Sequence, residues 1–316
     1  MWLLWAMRVG ALLTPIVPAR AGYWICRVIG LVLYLLKLRT RRAVLDNLRH
    51  VAPQRSWLWR QRQAARVFIT ATMNYYDLVR LRSVDRDRLT ELIEVHGWPH
   101  LEAALARGKG VIVLSAHLGN FSVVAQYPAT LGLQAAVIAE QVQPPELFRY
   151  LARLRSAMGI TVLPPGAGSV LPILRLLRKN GILLVAGDRD VTGHARIVRF
   201  FDAPASLPVG PVVLALRTGA TLLPAYTVRR STRKSVVFVE APLELVRTGD
   251  EERDLDENMK LVARALERMI RVDPGQWSVL QRVWDRPLAE VVPQGEAIGQ
   301  IPPELAQYPV EEATRG

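Results

Sequence analysis

A chain of 316 residues, half of them hydrophobic and 22% charged, can bury a large core and is too apolar for a disordered segment. Its 41 Lys and Arg against 28 Asp and Glu give a net charge of +13. Such a field calls for an anionic partner, whether nucleic acid, anionic lipid or a phosphorylated cofactor, unless the arginines simply solvate every face. The single cysteine, Cys26, excludes an internal disulfide framework and a cysteine-rich zinc site and fits a reducing compartment; it reads as a small buried or lipid-facing hydrophobe, not a nucleophile.

The chain divides into an apolar and basic helical region over residues 1–90, an α/β domain over 91–285 and a proline-containing tail over 286–316 without chemistry. The pieces MWLLWAM, VGALLTPIVPA and ICRVIGLVLYLLK open the first region, with Arg8, Arg20, Arg27 and Lys37 set between apolar runs. No uninterrupted run reaches the roughly 18 to 20 apolar residues of a spanning helix. Trp2 and Trp5 precede the first charge, unlike a secretory signal. Short apolar helices edged by Trp suit a segment lying in the headgroup region or dipping into one leaflet; the same residues also suit a helical pair packed on the rest of the protein.

Next comes LRTRRAVLDNLRHVAPQRSWLWRQRQAARV, a basic stretch with Asp46 as its acid. Beside an apolar anchor, each Lys or Arg near an anionic leaflet is worth about 1 kcal/mol, which predicts monotopic or peripheral attachment at the cytoplasmic face of the cell's inner membrane. Zinc-finger spacing, an aromatic RNA-binding motif and a helix-turn-helix signature are all missing, so no nucleic-acid partner is expected.

From Lys109 onward strands and helices alternate. Residues 111–116 (VIVLSA), 135–139 (AAVIA) and 182–186 (ILLVA) are β-rich runs. Between them PELFRYLARLRSAM sets Leu147, Leu151, Leu154 and Met158 on one helical face, and a further helix over 170–179 ends at Asn180 with Gly181 as its cap. Later elements are a helix over 208–217 opened by Pro208 and closed by Gly219, strands over 221–228 and 235–240, and a helix carrying Leu255, Met259, Val262, Leu266 and Met269. The expected fold class is α/β, a central, mostly parallel sheet covered by helices, with N-terminal membrane-associating helices.

Three buried strands run into polar residues: His117, Glu140, and the pair Asp188 and Arg189. In a parallel sheet the C-terminal strand ends share one edge, so these distant residues are expected to converge. His117 precedes Leu118, Gly119 and Asn120, where Gly allows a tight turn and Asn either caps the helix or bonds a substrate. An imidazole, with an unperturbed pKa of about 6.5, can take a proton from a hydroxyl near neutral pH if a carboxylate orients its other nitrogen. Arg189 and Arg217, with the turn that opens the helix after Pro208, are candidates for anion binding. The five histidines make no pair at helix-face ligand spacing, so no metal is expected, and the missing Gly-x-Ser-x-Gly elbow argues against a serine hydrolase.

GKGVIVLSAHLGNFS, LLVAGDRD, FFDAPASLPVGPVVLALRTGATLLPAY and DPGQWSVLQRVW resemble the lysophospholipid acyltransferase superfamily, in particular the branch of the bacterial lipid A biosynthesis and phosphatidylinositol mannoside acyltransferases. The likeness spans residues 39–284. It implies a glycerol-3-phosphate acyltransferase-like fold and transfer of an acyl chain from acyl-CoA or acyl-ACP, a co-substrate and not a cofactor, to a hydroxyl of a lipid or glycolipid, with His117 as general base. The family pattern places Asp or Glu after four residues following the histidine, and here that position is Ser122. Either the site is silent and the chain is a membrane- and lipid-binding relative, or the carboxylate comes from elsewhere. Within the mannoside acyltransferase branch the resemblance points first to Asp188. Glu140 is the second candidate, and its likeness implies a contact with Arg155 near the acceptor groove.

Overall fold

The computed structural model describes residues 16–36, 38–191 and 193–284, preceded by Trp5, Met7, Arg8, Gly10, Ala11 and Thr14. The tail expected over 286–316 and the Trp-rich start over 2–4 lie outside the described residues. Helix α1 (Ala19–Leu35) is followed by α2 (Arg39–Val51) and the long α3 (Trp57–Arg80). Ser56 opens α3 by accepting a hydrogen bond from the Trp59 N–H at 3.2 Å. Gly30 lets α1 lie close against α3, because a Cβ there would stand 2.6 Å from the Ile69 Cα. Tyr23, Cys26 and Tyr34 turn inward, whereas Trp24 (66% exposed), Ile25, Val28, Ile29, Val32 and Leu35 form an exposed apolar face. Among the described residues no single helix is long and apolar enough to cross a membrane.

After α4 (Arg86–Glu91) the chain enters a seven-stranded sheet through β1 (Ile93–His96) and α5 (Trp98–Ala106). Then come β2 (Val111–Ser115), the short helices α6 (Phe121–Val124) and α7 (Tyr127–Thr130), β3 (Ala135–Ile138), α8 (Pro145–Arg155), β4 (Thr161–Leu163), α9 (Val170–Arg178) and β5 (Ile182–Ala186). A two-stranded antiparallel ribbon of β6 (Ala195–Phe200) and β7 (Ala203–Pro208) leads to α10 (Gly210–Thr218), β8 (Thr221–Ser231), β9 (Lys234–Val239) and α11 (Glu251–Val272). The sheet order is β1-β9-β8-β2-β5-β3-β4. It is parallel at every pairing except the β8–β9 hairpin, so the expected mostly parallel sheet with covering helices is present.

The differences have local causes. Asn180, not Gly181, takes the left-handed cap of α9 at φ 57°; the Gly181 N–H then reaches the Leu176 carbonyl at 2.9 Å and the Asn180 N–H the Leu177 carbonyl at 2.9 Å, a Schellman closure with Asn in the cap position. The helix after Pro208 starts at Gly210, since Pro208 still belongs to β7. The β6–β7 ribbon was not anticipated: Pro204 and Pro208 argue against a central strand, and are tolerated because β7 pairs with β6 alone. β1 and β4 are only four and three residues long, too short for a periodic signal.

One sheet face, with Ile112, Leu114, Leu183 and Leu222, packs into the main core with Val212 and Val213 of α10 and Met259, Leu266 and Met269 of α11. The alternating residues point the other way. Val113 stands beside Leu184 and Leu223 in register, and Val137 beside Leu184. This second face is partly uncovered.

Candidate active site

Strands β2 and β5 are neighbours in register, Ser115 opposite Ala186, so the residues that follow them emerge side by side. That places His117 against Asp188, sequence-distant but adjacent at one sheet edge. The His117 Nδ1 lies 2.8 Å from Asp188 Oδ1. The other carboxylate oxygen, Oδ2, accepts the His117 main-chain N–H at 2.9 Å and the Trp277 indole N–H at 2.7 Å. Asp188 has no exposed surface, and the His117 side chain is 24% exposed. Burial raises the Asp188 pKa, but the His117 charge, its ring and main-chain hydrogen bonds and the Trp277 N–H outweigh burial and hold the carboxyl below the usual carboxylate value. An ionised carboxylate only accepts hydrogen bonds, so Nδ1 carries a proton, and in the neutral ring the lone pair stands at Nε2.

The turn that carries the imidazole is clamped on several sides. Gly119 sits at φ 58°, and a Cβ there would lie 2.4 Å from the Thr227 carbonyl oxygen. Its N–H donates to the Gln276 carbonyl at 3.1 Å, and its own carbonyl accepts from Asn74 Nδ2 at 2.8 Å. The Ser278 N–H and hydroxyl both donate to the His117 carbonyl, at 2.9 and 3.0 Å. Phe121 meets the imidazole edge to face, with ring centres 5.0 Å apart.

His117 opens onto a cavity of about 380 Å³ over the uncovered sheet face. Val113, Val137, Leu184, Leu223 and Val239 form its apolar floor, while Glu140, Arg155 and Arg189 stand at its polar part. Such a shape, mostly apolar with a few convergent polar groups, suits a ligand with a long apolar portion. Burial pulls the Arg155 guanidinium pKa down from its usual value, and no carboxylate among the described residues pairs with it.

The predicted residues separate accordingly. His117 and Asp188 form one hydrogen-bonded unit. Glu140 does not contact Arg155 as the resemblance implied; it forms an ion pair with Arg189, which also donates to Gln281, because both sit at adjacent strand ends. Asn120 occupies the N-cap position of α6 without a side-chain capping bond and does not line this cavity; it lines a second, smaller pocket. Arg217 is also outside the cavity, pairing with Glu251 at 3.6 Å where α10 meets the start of α11. Ser122 is buried on α6 and lines the cavity, but the carboxylate at the imidazole comes from Asp188. Cys26 is buried between α1 and α3, where burial, then the nearby Asp77 charge, push its thiol up to about 11. A second imidazole–carboxylate contact, His50 with Asp202 at 2.6 Å, lies outside the cavity with His50 stacked on Trp284.

Sequence reasoning assigned no role to Trp277, Asn74, Gln276 or Ser278. For Trp277 a signal existed: a buried indole N–H needs an acceptor, and it stands in one of the four segments that carry the family resemblance.

The chain is similar to the phosphatidylinositol mannoside acyltransferase of Mycobacterium tuberculosis strain CDC 1551, 29% identical over 235 residues, which are 73% of this chain and 68% of that protein. The protein of the same description from strain H37Rv is 28% identical over 219 residues, 68% of this chain and 67% of the other. That of Mycolicibacterium smegmatis is 31% identical over 150 residues, 46% and 49% of the two chains. The sequence profile of the bacterial lipid A biosynthesis acyltransferases matches residues 1–286, and with so much of its length matched the chain belongs to that family of lipid acyltransferases.

Proposed function

We propose that the protein moves a fatty acyl chain from an acyl thioester, borne by coenzyme A or acyl carrier protein, directly to a hydroxyl of a lipid or glycolipid, with His117 as the general base. The observation that carries this reading is the Asp188 carboxylate on His117 Nδ1 at 2.8 Å, which leaves Nε2 as the proton acceptor on the cavity side. The acceptor oxygen attacks the thioester carbonyl while Nε2 takes its proton. Collapse of the tetrahedral adduct breaks the C–S bond, and the imidazolium returns the proton to the departing sulfur. Asp188 stabilises the imidazolium in between, so no acyl-enzyme is required.

The floor of Val113, Leu184 and Leu223 suits the acyl chain, since each buried methylene contributes about 0.8 kcal/mol. Arg155 and Arg189 at the polar part suit the oxygens of donor or acceptor. The exposed apolar face of α1, beside the exposed Arg39, Arg42 and Arg49 of α2, supports a peripheral or monotopic position on an anionic leaflet at the cytoplasmic side of the inner membrane. Ser122 favours the rival reading, a silent lipid-binding relative.

Thiol release from a long-chain acyl-CoA, measured with a phosphatidylinositol mannoside or a lipid A precursor as acceptor, separates the two. His117→Ala should lower the acceptor-dependent rate by about 10²- to 10⁴-fold. Equal rates from both proteins would leave the silent relative.

A further inference from the structure

A second pocket, of about 240 Å³, lies between α1, α3, α4 and the β8–β9 turn. Among the described residues six cationic side chains line it, Arg20, Arg80, Arg88, Arg229, Arg233 and Lys234, against a single carboxylate, Asp77. Some of this charge is already matched: Arg229 pairs with Asp77 at 2.6 Å, Arg88 with Glu91 at 2.5 Å and Lys234 with Glu94 at 2.6 Å. Arg20, Arg80 and Arg233 have no carboxylate partner among the described residues. Arg80 instead lies over the Tyr23 and Tyr76 rings, 5.7 and 5.6 Å from their centres, which holds its guanidinium at the pocket.

Two of the lining residues, Arg229 and Asn120, carry buried polar atoms that lack a partner among the described residues. The Arg229 side chain is 9% exposed, and among the described residues its Nε–H has no hydrogen-bond partner; nor does Oδ1 of the buried Asn120. Buried polar groups are nearly always satisfied, and an unpaired donor and acceptor on residues of a cationic pocket fit an oxyanion that also bears a hydroxyl. Retaining this excess of like charge is costly without an anion to offset it.

We propose that this pocket binds the phosphate of a phosphate ester, with Arg80, Arg229 and Arg233 as its donors and Asn120 receiving a hydroxyl of the same molecule. Two sources share this chemistry: an anionic phospholipid headgroup reaching in from the apolar face of α1, where Arg20 and Tyr23 form the pocket's edge, and the phosphate of a soluble nucleotide carrier. The site is separate from the cavity that holds His117 but touches the same turn. Asn74 accepts from Arg229 Nη2 at 2.8 Å and donates to the Gly119 carbonyl at 2.8 Å.

Calorimetric titration of the full chain with inorganic phosphate and with 3′,5′-ADP, and co-sedimentation with phosphatidylcholine vesicles with and without phosphatidylglycerol, test this without turnover. A failure of the catalytic reading would therefore leave the result intact. Inorganic phosphate should bind saturably, about fivefold more weakly to Arg233→Gln and about 25-fold more weakly to the Arg80→Gln/Arg233→Gln double variant. A control pair of exposed arginines that line neither pocket, Arg175→Gln/Arg178→Gln on α9, should leave phosphate affinity unchanged. Competition by 3′,5′-ADP assigns the carrier as the source; variant-sensitive retention on phosphatidylglycerol vesicles without such competition assigns the lipid. The proposal is overturned by absence of saturable phosphate binding to the unaltered protein, by equal affinity in the double variant, or by an equal loss in the control pair.

Discussion

Replacing Asp188 by asparagine removes the charge at the imidazole while nearly preserving shape. In the native protein three N–H groups converge on the carboxylate, from the His117 ring, the His117 main chain and the Trp277 indole. An amide offers one acceptor oxygen and one NH₂ group. With the oxygen turned to the main-chain and indole donors, which cannot change, the NH₂ faces Nδ1, and the ring must move its proton to Nε2. The general base is then blocked at the atom that needs a lone pair, so acyl transfer should fall by about 10²- to 10⁴-fold with little change in KM. Stability should fall by about 2 kcal/mol, the scale of hydrogen bonds to a buried charge.

The pH dependence has a definite sign. The Asp188 pKa is depressed in the folded state, so its contribution is fully present above the unfolded carboxylate value of about 3.9 and is lost as pH falls through the folded value. The stability difference between native and Asp188→Asn proteins, from urea titrations at several pH values, should be flat above about pH 5 and shrink below about pH 4. Nitrogen NMR of the ring reports the tautomer. An Asp188→Asn protein with unchanged thiol release and with Nδ1 still protonated would refute the proton-transfer scheme.

Other perturbations follow from the same geometry. Trp277→Phe leaves Asp188 Oδ2 with the main-chain donor alone and should lower kcat about tenfold, the equivalent of one charge-assisted hydrogen bond; a proportionate rise in KM instead would mean that Trp277 acts on substrate binding. Gly119→Ala forces a Cβ against the Thr227 carbonyl at a positive φ and should cost about 1–3 kcal/mol, seen as a lower urea midpoint together with lost turnover. Val113→Phe fills part of the cavity floor and should shift preference to shorter donors, each excluded methylene costing about 0.8 kcal/mol, or about fourfold in kcat/KM. An unchanged chain-length profile would move the acyl chain away from that sheet face.

The readable parts of the sequence were those where local chemistry and final position agree. The β2, β3 and β5 runs are continuous apolar stretches because one face packs into the main core and the other forms the apolar floor of the cavity, and the amphipathic period of α11 matches its buried Leu255, Met259, Val262, Leu266 and Met269. The β6–β7 ribbon, the four-residue β1 and the Asn180 cap were not legible, since each depends on a neighbour that supplies pairing or closure. At the site, the convergence of His117 and Asp188 follows from strand-end logic, whereas the Glu140–Arg189 pairing and the outward displacement of Arg217 depend on side-chain directions that no spacing encodes.

What the sequence determined alone was the type of sheet, the strand termini that carry polar residues and a histidine turn requiring glycine, all consequences of periodicity and steric limits within a few residues. Which carboxylate meets the imidazole, that Trp277 shares it, and that Asn120 lines a different pocket were decided only when β5 paired with β2 and the segment after α11 folded back over the turn. The physical reason is that hydrogen bonds to a buried charge are set by the partners that burial brings within about 3 Å, and those partners lie 71 and 89 residues apart along the chain.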